Sequence, residues 1–172
     1  LLGVPEVSVT TLAGNGDAGF QDGTGAAARF DGPSAIASDR RGGVYVTDSR
    51  NHRLRHVAAD GTVTTVAGTG PTATVRGDFA DGPAAQARLW CPSGVAAAAD
   101  GTVYFSDTGN HRIRALRGGR VVTIAGGDTP LDHLQMRAGG LADGPGPKAR
   151  FRFPTGLCLA PDGSLLVVDT GN

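Results

Sequence analysis

Cysteine is scarce, with two in 172 residues, too few for a disulfide framework. Lys148 is the only lysine, and acidic and basic side chains cancel at 16 each, leaving no basic field for a phosphate backbone. Aromatic residues make only 5% of the chain, too few for the stacking platforms that read single-stranded nucleic acid. No run approaches the roughly 18 apolar residues of a membrane helix. There is no Asn-x-Ser/Thr acceptor, no Gly-x-Ser-x-Gly elbow, no phosphate loop and no His-Glu-x-x-His pair. The start, Leu1-Leu2-Gly3-Val4-Pro5, has no initiator Met and no basic n-region, and it reads as an excerpt of a longer chain. No targeting signal points to a compartment. Small residues are abundant instead: 28 Gly and 10 Pro, alongside 40% hydrophobic residues, too apolar for a disordered chain.

The chain repeats itself. Asp48-Ser49-Arg50-Asn51-His52-Arg53 returns as Asp107-Thr108-Gly109-Asn110-His111-Arg112 and starts again at Asp169-Thr170-Gly171-Asn172, at spacings of 59 and 62 residues. Pro33, Pro92 and Pro154 keep the same spacing. So do Asp22-Gly23, Asp81-Gly82 and Asp143-Gly144, each followed by Ala-Arg and an apolar residue: Phe30, Leu89 and Phe151. A Thr-x-Ala-Gly segment recurs ahead of each link, ending at Gly14, Gly68 and Gly126. Four motifs in one order, three times, make a repeat architecture.

Within a unit, short alternating runs are separated by Asp-Gly or Gly-Gly turns, the signature of a four-stranded meander. In the middle unit the runs are 94–98, 102–106, 112–116 and 121–125; in the first they are 34–37, 44–47, 53–57 and 62–67. The last unit supplies 155–159 and 165–168, and residues 7–12 read as a lone outer strand. A four-stranded meander at fixed period is a β-propeller blade. The small residues Ser34, Ala35 and Gly94 suit inner strands crowding toward an axis. The expected fold is therefore all-β: an incomplete propeller of two whole blades (residues 34–67 and 94–125) and parts of two more (residues 7–13 and 155–172). Such an arc leaves blade faces open, so the remainder of the propeller, or other chains of an assembly, should close the ring.

The Asn51-His52-Arg53-Leu54 and Asn110-His111-Arg112-Ile113 segments, each with an Asp three residues earlier and a Pro-led inner strand, resemble the NHL repeat. The resemblance implies a β-propeller, commonly six-bladed, used mainly as an interaction platform. The units here are longer than usual for that family, so each carries an insertion, and Leu54 replaces the usual Ile.

Strand order places the two tight turns of each blade on one face. The Asp-x-x-Asn-His turns and the long links to the next blade fall on the other. Those links, Gly14 to Pro33, Gly68 to Pro92 and Gly126 to Pro154, differ in their middles. Long irregular segments on a rigid scaffold are where binding concentrates. The candidate partner-binding residues are accordingly Arg76, Phe79, Leu131, Asp132, His133, Met136 and Arg137. The expected function is a non-enzymatic scaffold for a protein or peptide, with no cofactor.

Repeated residues are expected to serve the repeat: Asp48, Asn51, His52, Arg53, Asp107, Asn110, His111, Arg112, Asp169 and Asn172. The Asp residues should accept backbone N–H groups in their turns and the histidines should tie turns or blades together. An alternative, implied by propellers of similar repeat pattern, is a metal-dependent lyase or hydrolase with Asp48, Asp107, His52 and His111 at the channel. A second alternative, RNA binding, would use a basic stripe of Arg53, Arg55, Arg112 and Arg114, against which the low aromatic content argues. Arg29, Arg88 and Arg150 are expected to pair with Asp22, Asp81 and Asp143. Cys158, between Leu157 and Leu159, is expected to be a buried free thiol.

Overall fold

The Asp-Gly or Gly-Gly pairs at 60–61, 100–101, 118–119 and 162–163 turn the chain, and β-branched residues between the turns form much of the strands. The computed structural model describes residues 7–71, 79–127 and 138–172. The first blade consists of β2 (Pro33–Ser38), β3 (Val44–Asp48), β4 (Arg53–Val57) and β5 (Thr62–Ala67), antiparallel throughout. The second consists of β7 (Pro92–Ala97), β8 (Val103–Asp107), β9 (Arg112–Arg117) and β10 (Arg120–Ala125). The inner strands of a third, β11 (Pro154–Leu159) and β12 (Leu165–Asp169), pair with each other. These are consecutive blades of a β-propeller, with the boundaries expected from the turns to within two residues.

A fifth strand joins each complete sheet, which the repeat pattern did not disclose. β1 (Gly23–Thr24) pairs with β5, and β6 (Gly82–Pro83) pairs with β10. The constant part of each link thus runs along the outer strand toward the tight-turn edge. It then makes one 3-10 turn, Gly25–Ala27 or Ala84–Gln86, and returns to the inner strand. The links therefore do not lie wholly on one face: their constant halves line the outer edge. The Asp ahead of each 3-10 turn does not cap it. Asp22 instead accepts the Thr65 N–H at 3.0 Å and Asp81 the Thr123 N–H at 2.9 Å, fastening the link to the outer strand.

Residues 7–12 form no strand. A strand needs a neighbour for its N–H and C=O groups, and no described strand lies alongside.

One apolar cluster joins the first two blades, with Leu54 and Ala67 from one and Leu89, Val95, Val103, Phe105 and Val121 from the other. Leu89, the apolar residue that ends the repeated Asp-Gly motif, packs between the two blades. Val46, Val57 and Val63 with Phe30 make the corresponding layer on the first blade's other side. Among the described residues no blade covers it: Ile36 is 69% exposed where its counterpart Val95 is 6%. The junctions are closed near the axis by hydroxyls. Thr47 Oγ1 donates to the Ser93 carbonyl at 2.8 Å, and Ser106 Oγ to the Thr155 carbonyl at 2.6 Å. A Cβ on Gly94 would collide with that same Thr155 carbonyl, so the inner strands approach too closely there for a side chain. Cys158 is exposed, not buried, because nothing described packs on the outer face of the third unit.

Candidate functional site

The motif that marks the repeat closes the turn between the second and third strands. Asp48 Oδ1 accepts the Asp31 N–H at 2.8 Å, and Oδ2 accepts Asn51 Nδ2 at 2.8 Å and Arg55 Nη1 at 2.7 Å. In the second blade, Asp107 takes the Trp90 N–H, Asn110 and Arg114 in the same way. In the third, Asp169 takes the Arg152 N–H at 2.8 Å and Asn172 at 2.6 Å. The carboxylates do accept backbone N–H groups, but from the end of the incoming link, 17 residues back, rather than from their own turns.

Arg55 and Arg114 are fully buried, so the stripe on the third strands is not a basic surface. Arg114 Nη2 donates to the Ala80 carbonyl at 2.7 Å and to Asp81 at 2.7 Å, and Arg55 Nη2 repeats this with Gln21 and Asp22. These arginines, not Arg29 and Arg88, hold the Asp of the link. Arg29 lies 3.5 Å from Asp17, with both side chains largely exposed. A planar guanidinium can satisfy a carboxylate and two carbonyls at once, which suits it to this buried junction.

The histidines tie blade to blade. Both lie in the left-handed region, His52 at φ 52° and His111 at φ 57°. His52 Nδ1 accepts the Cys91 N–H at 2.9 Å and His111 Nδ1 accepts the Phe153 N–H at 2.9 Å. His111 also meets the Phe153 ring edge-to-face at 4.5 Å. Burial pushes the His52 imidazole below its ordinary pKa, with Asp107 pulling the other way and Arg53 adding to the depression. An Nδ1 that accepts a hydrogen bond requires this neutral form.

Asp48, Asp107, His52 and His111, considered as metal ligands, are thus engaged with arginine, asparagine and backbone groups. Among the described residues no three His, Cys, Asp or Glu side chains are placed to share a metal ion. Burial pushes the Cys91 thiol up, with Asp107 acting in the same direction, which leaves it protonated rather than nucleophilic. No helix among the described residues is long and apolar enough to cross a membrane.

Of the candidate partner-binding residues, Arg76, Leu131, Asp132, His133, Met136 and Arg137 lie outside the described residues. Phe79 is half-buried, its ring 4.1 Å from the Arg112 guanidinium and 4.8 Å from that of Arg114. Phe20 takes the same place on Arg53, at 3.6 Å. Leu141, two residues ahead of its repeated Asp like both phenylalanines, is 75% exposed. This fifth repeated position was readable in the sequence, and it sets Phe79 over the arginines of β9 as Phe20 is set over Arg53.

Comparison with known proteins follows the same division. A profile described as "Teneurin NHL domain" matches residues 13–117, more than half of the chain, and one described as "NHL repeat" matches residues 151–172. The mouse (Mus musculus) protein Teneurin-3 is 38% identical over 93 residues, covering 48% of this chain and 3% of its own length. The Arabidopsis thaliana protein SUPPRESSOR OF QUENCHING 1, chloroplastic, is 37% identical over 94 residues, covering 54% of this chain and 8% of its own. The chain thus spans a small fraction of the length of these relatives. Among solved structures, an auxiliary nutrient binding protein from Bacteroides thetaiotaomicron superposes with a TM-score of 0.61 at 23% identity, over 78% of this chain and 34% of that one. One from Bacteroides ovatus gives 0.60 at 22%, over 79% and 35%. At that identity the likeness is one of fold. Repeat motif, blade order and profile match agree, and the chain belongs to the teneurin NHL domain family.

Proposed function

We propose that this chain is a non-enzymatic scaffold that binds a protein or peptide partner. The binding face carries the Asp-x-x-Asn-His turns and the variable parts of the links, around 69–80 and 127–142. One observation carries the reading: the repeated polar residues Asp48, Arg55, Asp107 and Arg114 are buried in one another's hydrogen bonds, as a scaffold requires and a catalytic centre does not. What differs between blades on this face is the links, and loops on a rigid frame are where recognition resides. Arg76, Phe79, Leu131, Asp132, His133, Met136 and Arg137 are the contact candidates. Peptides selected from a displayed random library should lose about tenfold or more in affinity when residues 128–137 are replaced by a Gly-Ser segment of equal length, with the melting temperature unchanged. Unaltered binding overturns the assignment of the face.

A second observation supports a further partner. The apolar layer of Ile36, Val44, Val46 and Val57 on the first blade is the surface that, in the second blade, lies against a neighbour. We infer that it receives another blade of the same kind, from the remainder of the propeller or from another chain of an assembly.

A further inference from the structure

On the tight-turn face the first turn of the first blade departs from its counterparts in the other two. The first turn of each blade has the same length, so positions correspond: Asp39 to Ala98 and Ala160, Arg40 to Ala99 and Pro161, Arg41 to Asp100 and Asp162. Asp100 and Asp162 close their own turns, accepting the N–H of Thr102 and of Ser164, each at 2.9 Å. The first blade has Arg41 there, and its carboxylate stands two residues earlier. Asp39 Oδ1 accepts the N–H groups of Arg41 at 2.7 Å and Gly43 at 2.8 Å. Asp39 Oδ2 lies 2.8 Å from Nε2 of His56, which stands where the second blade has Ala115.

Asp39 and His56 together keep the turn closed. That role does not account for Arg40 or Arg41. Both are exposed, Arg40 holds a left-handed backbone at φ 62°, and neither guanidinium has a carboxylate within ion-pair distance among the described residues. Both line a cleft of about 530 Å³ between this turn and the first turn of the second blade. The volume falls in the range of small-molecule sites, about 300–1,000 Å³. One wall is Tyr45, tilted against the His56 ring at 5.1 Å, and Val66; the other is the alanine run of the second blade's turn. Both carboxylates at the cleft are engaged, Asp39 with backbone and imidazole, Asp100 with its own turn. The two guanidiniums are left as donors beside apolar walls.

We propose that this cleft is a binding site for a small organic anion, a carboxylate or phosphate ester on a compact apolar body. The anion sits in the forks of Arg40 and Arg41, and the body lies between Tyr45, Val66 and the alanines of the opposite turn. Charge-assisted, bidentate bonding gives Arg its preference for both anion types. The site is on the face opposite the proposed partner surface and does not depend on it.

The test is titration of the protein with benzoate, phenyl phosphate and neutral benzyl alcohol, read by amide chemical shifts. The expected result is saturable shifts at residues 39–43 and 97–101 with at least one of the two anions, about tenfold weaker binding of benzyl alcohol, and about tenfold loss in an Arg40→Gly, Arg41→Ala variant. Glycine suits the positive φ at position 40, so the variant should keep its melting temperature. Which anion binds identifies the head group. Absence of saturable shifts with both anions, shifts confined to other regions, equal binding of benzyl alcohol, or undiminished binding by the folded variant overturns the proposal.

Discussion

Asp107 Oδ2 and Arg114 Nη1 lie 2.6 Å apart with both side chains wholly excluded from water, and Asp48 and Arg55 repeat the arrangement at 2.7 Å one blade earlier. A buried pair of this kind is costly to break from one side, because the surviving charge loses its partner while remaining desolvated. Replacing Arg114 by Met should therefore destabilise the protein by about 3–5 kcal/mol in urea denaturation. The double variant Asp107→Leu, Arg114→Met should cost clearly less than the sum of the two single changes. Additivity would mean that the pair is not coupled.

His52 makes stability depend on mild acid. Its folded pKa is depressed by burial, so in the unfolded chain, near the ordinary value of about 6.5, it takes up a proton that the folded chain still refuses. The unfolded state binds more protons, and stability falls as pH drops below about 6.5 toward the folded value. Melting temperatures from pH 7.5 to 5.5 should show this decline. His52→Asn should flatten it: asparagine tolerates the left-handed backbone and offers a carbonyl oxygen to the Cys91 N–H. An unchanged slope in that variant contradicts the account.

Ser106 holds the second and third units together. Its hydroxyl accepts the Gly94 N–H at 2.7 Å and donates to the Thr155 carbonyl at 2.6 Å. Ser106→Ala leaves both backbone groups without this partner and should cost about 1–3 kcal/mol, measured by chemical denaturation. A change below about 0.5 kcal/mol would show that the junction does not rest on this hydroxyl.

What was legible in the sequence was whatever repeats locally. Asp-Gly turns and alternation located the ten long strands among the described residues, and the recurrence of His52 and His111 pointed to residues that tie turns or blades together. What escaped depends on partners distant in the chain. β1 and β6 are two residues long and carry no periodicity of their own. Nearness in sequence pairs Asp22 with Arg29, but its partner is Arg55, 33 residues on, because the link folds back along the outer strand. The local pattern around Cys158 and residues 7–12 carries no signal of whether a neighbouring strand or blade covers them. The Asp39–His56 contact was invisible for the opposite reason: it occurs in one blade and breaks the repeat.

The open layer of the first blade predicts association of the chain as it stands. Ile36→Glu, placed where the corresponding Val95 is buried, should abolish concentration-dependent self-association in sedimentation velocity without lowering the melting temperature. A parent protein that stays monomeric at high concentration would contradict the inference that this face receives a blade.

The central claim is that the repeated Asn-His turns are joints between blades. Long-range proton–nitrogen NMR of the imidazoles, together with exchange rates of the Cys91 and Phe153 amides, tests it most directly. The account predicts that both histidines carry their proton on Nε2 at pH 7.5, with unprotonated Nδ1, and that both amides are protected. A proton on Nδ1 of either ring, or fast exchange at either amide, would contradict it.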